Sequence, residues 1–352
     1  MSKRSGKPTI KDVAAEAGVS LGTASRVVNQ YPDVNPEMKR RVERAIEKLG
    51  YTPDAVAQSM RFRSTRTIGI LIRDFSSPAF VDFATVAQSI LFSHGYVPLL
   101  AGYDDEPQRE LDIIRAFAQR RIDGLIVTTS SDTNAELVEA RRKLGVPSIL
   151  FDRDPDKVQD TIAIDHRTGI REAGNYLFAL GHERIALVTG QPDVRPARER
   201  IAAFRKIHSE VGLTLDPALV RAGSFSAGFA QRETAQLLAM PHRPTAIIGG
   251  GVLILPGILR AIRAAGLRIP QDISVVSSTN SEIAELVTPT VTELRVDYAS
   301  IGSAASTLMM ARLEGTVKGP PQVLKFGTTL IERNSCGAPP VRRSAAKTAR
   351  KR

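Results

Sequence analysis

From Thr67 to Ser278 the chain repeats one pattern, a short and nearly continuous apolar run followed by a longer helical stretch. The runs are TIGILI (67–72), YVPLLA (96–101), GLIVTT (124–129), PSILFD (147–152), TIAID (161–165), RIALVTG (184–190), TAIIGG (245–250) and ISVVSS (273–278). Helical stretches such as 81–94, 171–180, 197–211 and 257–265 lie between them. Strands without a polar face must be covered on both sides, so the alternation predicts parallel sheets sandwiched by helices. The number of strands suffices for two doubly wound lobes. Open sheets of this kind bind ligands beyond the carboxyl ends of their strands.

The first sixty residues obey a different period. Thr9 and Asp12 have the spacing of a capping box, and Ile10, Val13, Ala14 and Ala17 share one helical face. Gly18 can supply the left-handed turn that ends this helix, and Val19 can fill the core below it. Ser20 then caps a second helix, 21–28, with Ala24, Val27 and Val28 inward and Leu21, Gly22, Ser25 and Arg26 outward. A third helix starts at Asn35-Pro36, buries Val42, Ala45, Ile46 and Leu49, and closes at Gly50. Two short helices around a tight glycine turn match a helix-turn-helix, whose second helix enters the major groove N-terminus first. Leu21 and Gly22 would meet base edges, and Arg26, one turn later, could bond guanine O6 and N7. Thr9, Ser20, Thr23, Ser25 and Asn29 offer hydroxyl or amide groups to phosphates.

Charge is distributed accordingly. Of the net +11, residues 1–66 carry thirteen Lys/Arg against seven Asp/Glu, and residues 341–352 carry six against none. The stretch between them is close to neutral. Basicity at the two ends points to a polyanionic partner at the amino end and to a basic, unstructured tail at the other. Cys336 is the single cysteine, which excludes an internal disulfide or a cysteine-held metal cluster and suits the cytoplasm. No apolar run has the length of a membrane span, and no hydrophobic segment follows the basic start to make a secretory signal.

The segments TIKDVAAEAGVSLGTASRVVN and VNPEMKRRVERAIEKLGYTPDAVAQSMR resemble, without a gap, the start of a lactose/galactose repressor (LacI/GalR) family transcription regulator. By that resemblance 9–28 is the helix-turn-helix, and Leu21, Gly22 and Arg26 occupy base-reading positions. Residues 53–62 then correspond to a hinge helix that folds on the operator's minor groove. Val56, Ala57 and Met60 would lie on one face of it, with Met60 where the family has a leucine wedge. Asp54 replaces a common asparagine and would cap that helix. Weaker matches continue in order, through SSPAFVDF, RRIDGLIV, VPSILFDR, ALGHERIALVTGQPDVRPARERIAAF, AAGLRIPQDISVV and LVTPTVTELRVDYASIGSAA.

The resemblance implies a three-helix headpiece on a two-lobed, periplasmic-binding-protein-like α/β core that closes on a small effector. The expected domains are a basic arm (1–8), a DNA-binding domain (9–52), a hinge and linker (53–65), the core (66–338) and a basic tail (339–352). Lobe 1 would comprise about 66–163 and 296–324, and lobe 2 about 164–295 and 325–338, with chain crossings near 163–165, 294–296 and 323–325.

In the implied cleft Arg198 falls on an effector-gripping arginine, and its guanidinium suits two oxygens of a sugar or carboxylate. Read without the resemblance, it could instead form a helix-surface ion pair with Glu199 or Glu210. Asp152 falls on another cleft position, and Arg153 beside it either faces the cleft or caps the strand. Phe80 and Phe225 match apolar walls, Asp74, Phe75, Ser76 and Ser77 belong to the mouth, and Gly251 and Thr279 end later strands. Two departures stand out. Gly251-Val252 replaces a typical Asn-Asp, and the residues 277–280 replace Gly-Phe-Asp-Asp. Both remove carboxylates that accept bonds from sugar hydroxyls, so the expected effector is anionic or poor in hydroxyls.

Other classes fit less well. A secreted solute-binding protein would share the core but not the headpiece. An enzyme would need a constellation that is absent: GGGVLILPG at 249–257 is neither a dinucleotide fingerprint nor a P-loop, and no hydrolase or metal motif occurs. The expected protein is a cytoplasmic homodimer without a cofactor, a repressor or on the same scaffold an activator, reading a palindromic double-stranded operator under effector control.

Overall fold

The computed structural model describes residues 8–29, 31, 33–52, 64–75 and 78–340. Val56, Ala57, Met60 and Asp54 of the expected hinge, Ser76 and Ser77, most of the arm and the basic tail lie outside the described residues. The chain divides into two compact units, 1–65 and 66–352.

The amino-terminal unit contains α1 (Ile10–Ala17), α2 (Leu21–Val28) and α3 (Pro36–Leu49). Asp12 accepts the Thr9 backbone N–H at 2.8 Å and its hydroxyl at 2.7 Å, which fixes the start of α1. Gly18 takes φ 61°, and the Val19 N–H returns to the Ala14 carbonyl at 3.0 Å. Ser20 Oγ accepts the Thr23 N–H at 3.0 Å and Asn35 Oδ1 accepts the Glu37 N–H at 2.8 Å, so both expected caps are made. Val13, Ala14, Ala17, Ala24, Val27, Val42 and Ala45 form the core. One expectation fails here: Ser25 is buried rather than outward, while Val28 is only half-buried.

The second unit holds two sheets. In chain order its first elements are β1 (Thr67–Ile72), α4 (Pro78–Ser93), β2 (Val97–Gly102), α5 (Pro107–Gln119), β3 (Gly124–Val127), α6 (Ala135–Lys143), β4 (Ser148–Phe151) and β5 (Asp160–Ile164). There follow α7 (His166–Ala179), β6 (Ile185–Thr189), α8 (Arg195–Glu210), β7 (Val220–Ala222), α9 (Ala227–Leu238), β8 (Ala246–Gly250), α10 (Ile254–Ala264), β9 (Ser274–Ser277), α11 (Glu282–Leu286) and β10 (Thr292–Arg295). The last are α12 (Tyr298–Leu313), β11 (Val323–Phe326) and β12 (Thr329–Ile331).

Lobe 1 is the sheet β11-β5-β4-β3-β1-β2, parallel throughout. Lobe 2 is β12-β10-β9-β8-β6-β7, in which only β12 runs antiparallel to its neighbour. Each sheet has an apolar cluster on either face, one around Phe83 and Met309 and one around Phe117 and Leu137 in lobe 1, with the same arrangement in lobe 2. This burial explains the continuous apolar strands.

The chain passes between lobes after β5, between β10 and α12, and between β11 and β12. The third passage therefore falls at Gly327-Thr328, because 323–325 belongs to a strand of the first sheet paired with β5. The glycines of GGGVLILPG serve packing. A Cβ on Gly257 would sit 2.3 Å from the Ala227 carbonyl oxygen, so that glycine lets α10 lie against α9.

Candidate functional site: an inter-lobe cleft and an exposed helix arc

The carboxyl ends of the strands of both lobes converge on one cavity of about 90 Å³. Arg73, Thr128, Asp152 and Arg153 reach it from lobe 1 loops that follow β1, β3 and β4, and Phe80 and Tyr298 from the first turns of α4 and α12. Lobe 2 contributes Pro196 and Arg200 from α8, with Phe225, Gly251, Val252 and Thr279 from loops after β7, β8 and β9. Of the residues expected from sequence, Phe80, Asp152, Phe225, Gly251 and Thr279 are thus brought together.

The apolar wall is built in layers. Phe151 stacks on Phe83 at 4.9 Å and takes the edge of Phe80 at 6.1 Å and of Tyr298 at 6.5 Å. Burial pushes the Tyr298 phenol up to about 12. Gly190 and Gly251 seat the Phe225 ring, because a Cβ on them would approach it to 2.1 and 2.8 Å. The Arg73 guanidinium lies 5.8 Å from the centre of that ring, a cation–π contact between the lobes.

Among the described residues three arginines line the cavity and a single carboxylate accompanies them. Asp152, with φ 53°, is already engaged by the Ile164 N–H at 3.2 Å, Arg195 Nη1 at 3.1 Å and His166 Nε2 at 2.8 Å. Burial alone would raise its carboxyl, but the hydrogen bond from His166 and the charge of Arg195 outweigh that and hold it far below the usual range. Arg153 bonds the Thr129 and Asp152 carbonyls and the Tyr103 hydroxyl, none of them a carboxylate. Arg200 is buried, donates Nη1 to the Gly250 carbonyl at 3.0 Å, and has no partner for Nε among the described residues.

Arg198, expected to grip the effector, does not line the cavity. It joins the lobes instead, donating to Asp132 at 3.2 Å and to Asp154 on lobe 1 and to the Pro192 carbonyl at 3.0 Å. Neither Glu199 nor Glu210 is its partner: Glu199 is held by Arg167 and Glu210 pairs with Lys206. Asp132 also accepts the Arg195 backbone N–H at 2.6 Å, and its own N–H donates to the Asp193 carbonyl at 3.1 Å. The first turn of α8 is therefore clasped by lobe 1 carboxylates. Asp74 pairs with Arg73 at 2.7 Å, and Phe75 is exposed beside Gly102, so neither forms part of the wall.

On the headpiece, Ser20, Leu21, Gly22, Thr23 and Arg26 share the exposed side of α2, while Thr9 caps α1. Thr23 and Ser20 hydroxyls lie 2.9 Å apart, and the Asn29 amide donates to the Ser25 carbonyl at 2.6 Å. Arg26 is exposed and has Asp33 at 4.0 Å and the Tyr31 ring at 5.8 Å as its neighbours.

The comparisons agree with this division. Residues 9–54 match the model for bacterial regulatory proteins of the lacI family, and 175–336 match a periplasmic binding protein-like domain. The chain is 32% identical over 336 residues to the HTH-type transcriptional repressor PurR of Erwinia tasmaniensis, covering 95% of this chain and 98% of the relative. It is 31% identical to PurR of an Escherichia coli strain over the same length, covering 95% and 98%. Among solved structures it is similar to the lac repressor dimer bound to operator and the anti-inducer ONPF, with a TM-score of 0.82, 27% identity, and 95% and 100% of the two chains covered. It is also similar to the CelR–cellobiose complex, with a TM-score of 0.71, 28% identity, and 93% and 99% covered. The chain belongs to the lacI family of bacterial regulatory proteins, and it is a DNA-binding transcription regulator rather than an enzyme.

Proposed function

We propose that this protein is a homodimeric repressor that reads a palindromic operator through α2 and is switched by a small anionic effector held between its lobes. The observation that carries the effector class is the pair Arg153 and Arg200, which face one cavity without a carboxylate partner among the described residues, whereas Arg73 is already paired with Asp74 and Asp105; Arg200 also keeps a buried donor without an acceptor there. A buried guanidinium needs a counter-charge or strong acceptors, which a carboxylate or a phosphorylated compound provides. The volume lies well below the ~300–1,000 Å³ of sites for drug-sized ligands, which favours a compact acid.

Dimerisation is supported by apolar side chains left on the surface of lobe 1, where Val81 and Phe92 of α4 and Val97 and Leu100 of the edge strand β2 are all exposed. Leu286 on lobe 2 is 81% exposed. The operator-bound lac repressor is likewise a dimer. No helix among the described residues is long and apolar enough to cross a membrane, in keeping with a cytoplasmic regulator.

Calorimetry of the full chain against neutral hexoses, sugar acids, sugar phosphates and small carboxylates tests the effector class. The proposal expects an acid to bind, with its affinity falling as salt rises. Tight binding of a neutral hexose with no response to any acid overturns it.

A further inference from the structure

The exposed arc of α2 contains one residue the fold does not ask for. Gly22 lies in the first turn of a helix eight residues long, where glycine is the poorest helix former after proline. Its φ is not left-handed, and a Cβ there would meet only the Ser20 hydroxyl, at 3.6 Å. Neither backbone conformation nor packing requires a glycine, so the reason lies on the outward side. Its neighbour Leu21 is apolar and 46% exposed, although the headpiece core beneath it is complete without it. Arg26, one turn after Gly22 on the same stripe, is exposed and has Asp33 and the Tyr31 ring as its neighbours. The surface is thus a leucine, a gap and an arginine.

Base edges in the major groove offer one apolar group, the 5-methyl of thymine. A leucine on a groove-entering turn has no other base-edge partner, whereas a position without a side chain discriminates among no base pairs and lets the backbone approach closely. We propose that Leu21 reads a thymine 5-methyl group and that Gly22 leaves the base pair facing it unread. Each half-site then carries a required thymine, a guanine required by Arg26, and one position at which all four base pairs are accepted. The inference rests on the reading that α2 enters the major groove, and it adds what that helix selects.

The test uses the full chain. Duplexes are selected from a random pool, and each thymine of the selected half-site is then replaced in turn by deoxyuridine, which removes only the methyl. One such replacement should weaken binding about fourfold per half-site, the value of one buried methyl-sized group. A Leu21→Ser variant should bind the thymine and uracil duplexes equally. Gly22→Gln should create a preference for adenine at the formerly unread position, and thermal melting checks that the helix still folds. The proposal is overturned if no thymine is sensitive to loss of its methyl, or if every selected position is fixed and Gly22→Gln changes none of them. A pool that yields no common sequence refutes the groove reading itself, a result distinct from either of these.

Discussion

Arg198 and Arg200 stand two residues apart on α8, about 200° apart around the helix, and so do different things. Arg200 falls in register with Ala197, Ile201, Phe204 and Ile207, the buried stripe, and reaches the cavity; Arg198 falls off it and meets lobe 1 carboxylates at the rim. An Arg200→Met variant should raise the effector Kd about ten- to hundredfold, the loss of a charged hydrogen bond, with operator affinity in the absence of effector unchanged. Titration calorimetry beside gel-shift measurement reads both. The distinction was legible in the sequence, because the apolar spacing of PARERIAAFRKI already phases the helix and puts Arg200 with the core. A local match to a family arginine, taken without that phase, points to Arg198, which does not line the cavity, rather than to Arg200, which does. Phe80, Asp152 and Phe225 come from the family match; Asp152 also directly follows β4 and Phe80 opens α4, so the strand-end rule reaches those two, whereas Phe225 follows the short β7 and has no such signal. Arg73 and Tyr298 follow the same rule and could have been found by it, whereas the seating of Phe225 on Gly190 and Gly251 is a tertiary fact with no local trace.

Among the elements, those with long apolar runs were placed to within a residue or two, since burial on both faces leaves no polar alternation to confuse with a loop. The short β7, β10, β11 and β12 are not among the expected strands because three or four residues carry no period, and the third lobe crossing is displaced because 323–325 belongs to the partly exposed β11. The α8 terminus is the element on which closure depends. Asp132 has an almost fully buried side chain and receives both the Arg195 N–H and the Arg198 guanidinium, so the two lobes are joined at the cleft rim by the protein's own groups. Asp132→Ala should shift the lobes toward an open form and raise the effector Kd roughly tenfold or more, because the ligand must then supply the lost closing energy. Small-angle scattering should show a larger radius for the variant without effector, and an unchanged radius and Kd would remove the clasp from the account.

At the scale of the molecule, three histidines of the core tie its stability to pH. Burial lowers His166, and Arg200 adds to this; burial also lowers His182 and His208. All three favour the neutral ring in the folded state, so below about 6.5 the unfolded chain binds more protons than the folded one. Their contribution is full above that value and declines as the pH drops further, and thermal melts at pH 7.5 and 5.5 should show a lower Tm at the acid end. The headpiece is proposed to read base edges and the core to govern when it does so. The most direct test of this reading is the ratio of affinities of the full chain for a selected duplex and for the same duplex scrambled, at physiological salt, with and without Arg26→Ala. A ratio of about 10³ or more that falls by about 1–3 kcal/mol in the variant is the predicted result. Equal affinity for both duplexes would contradict it.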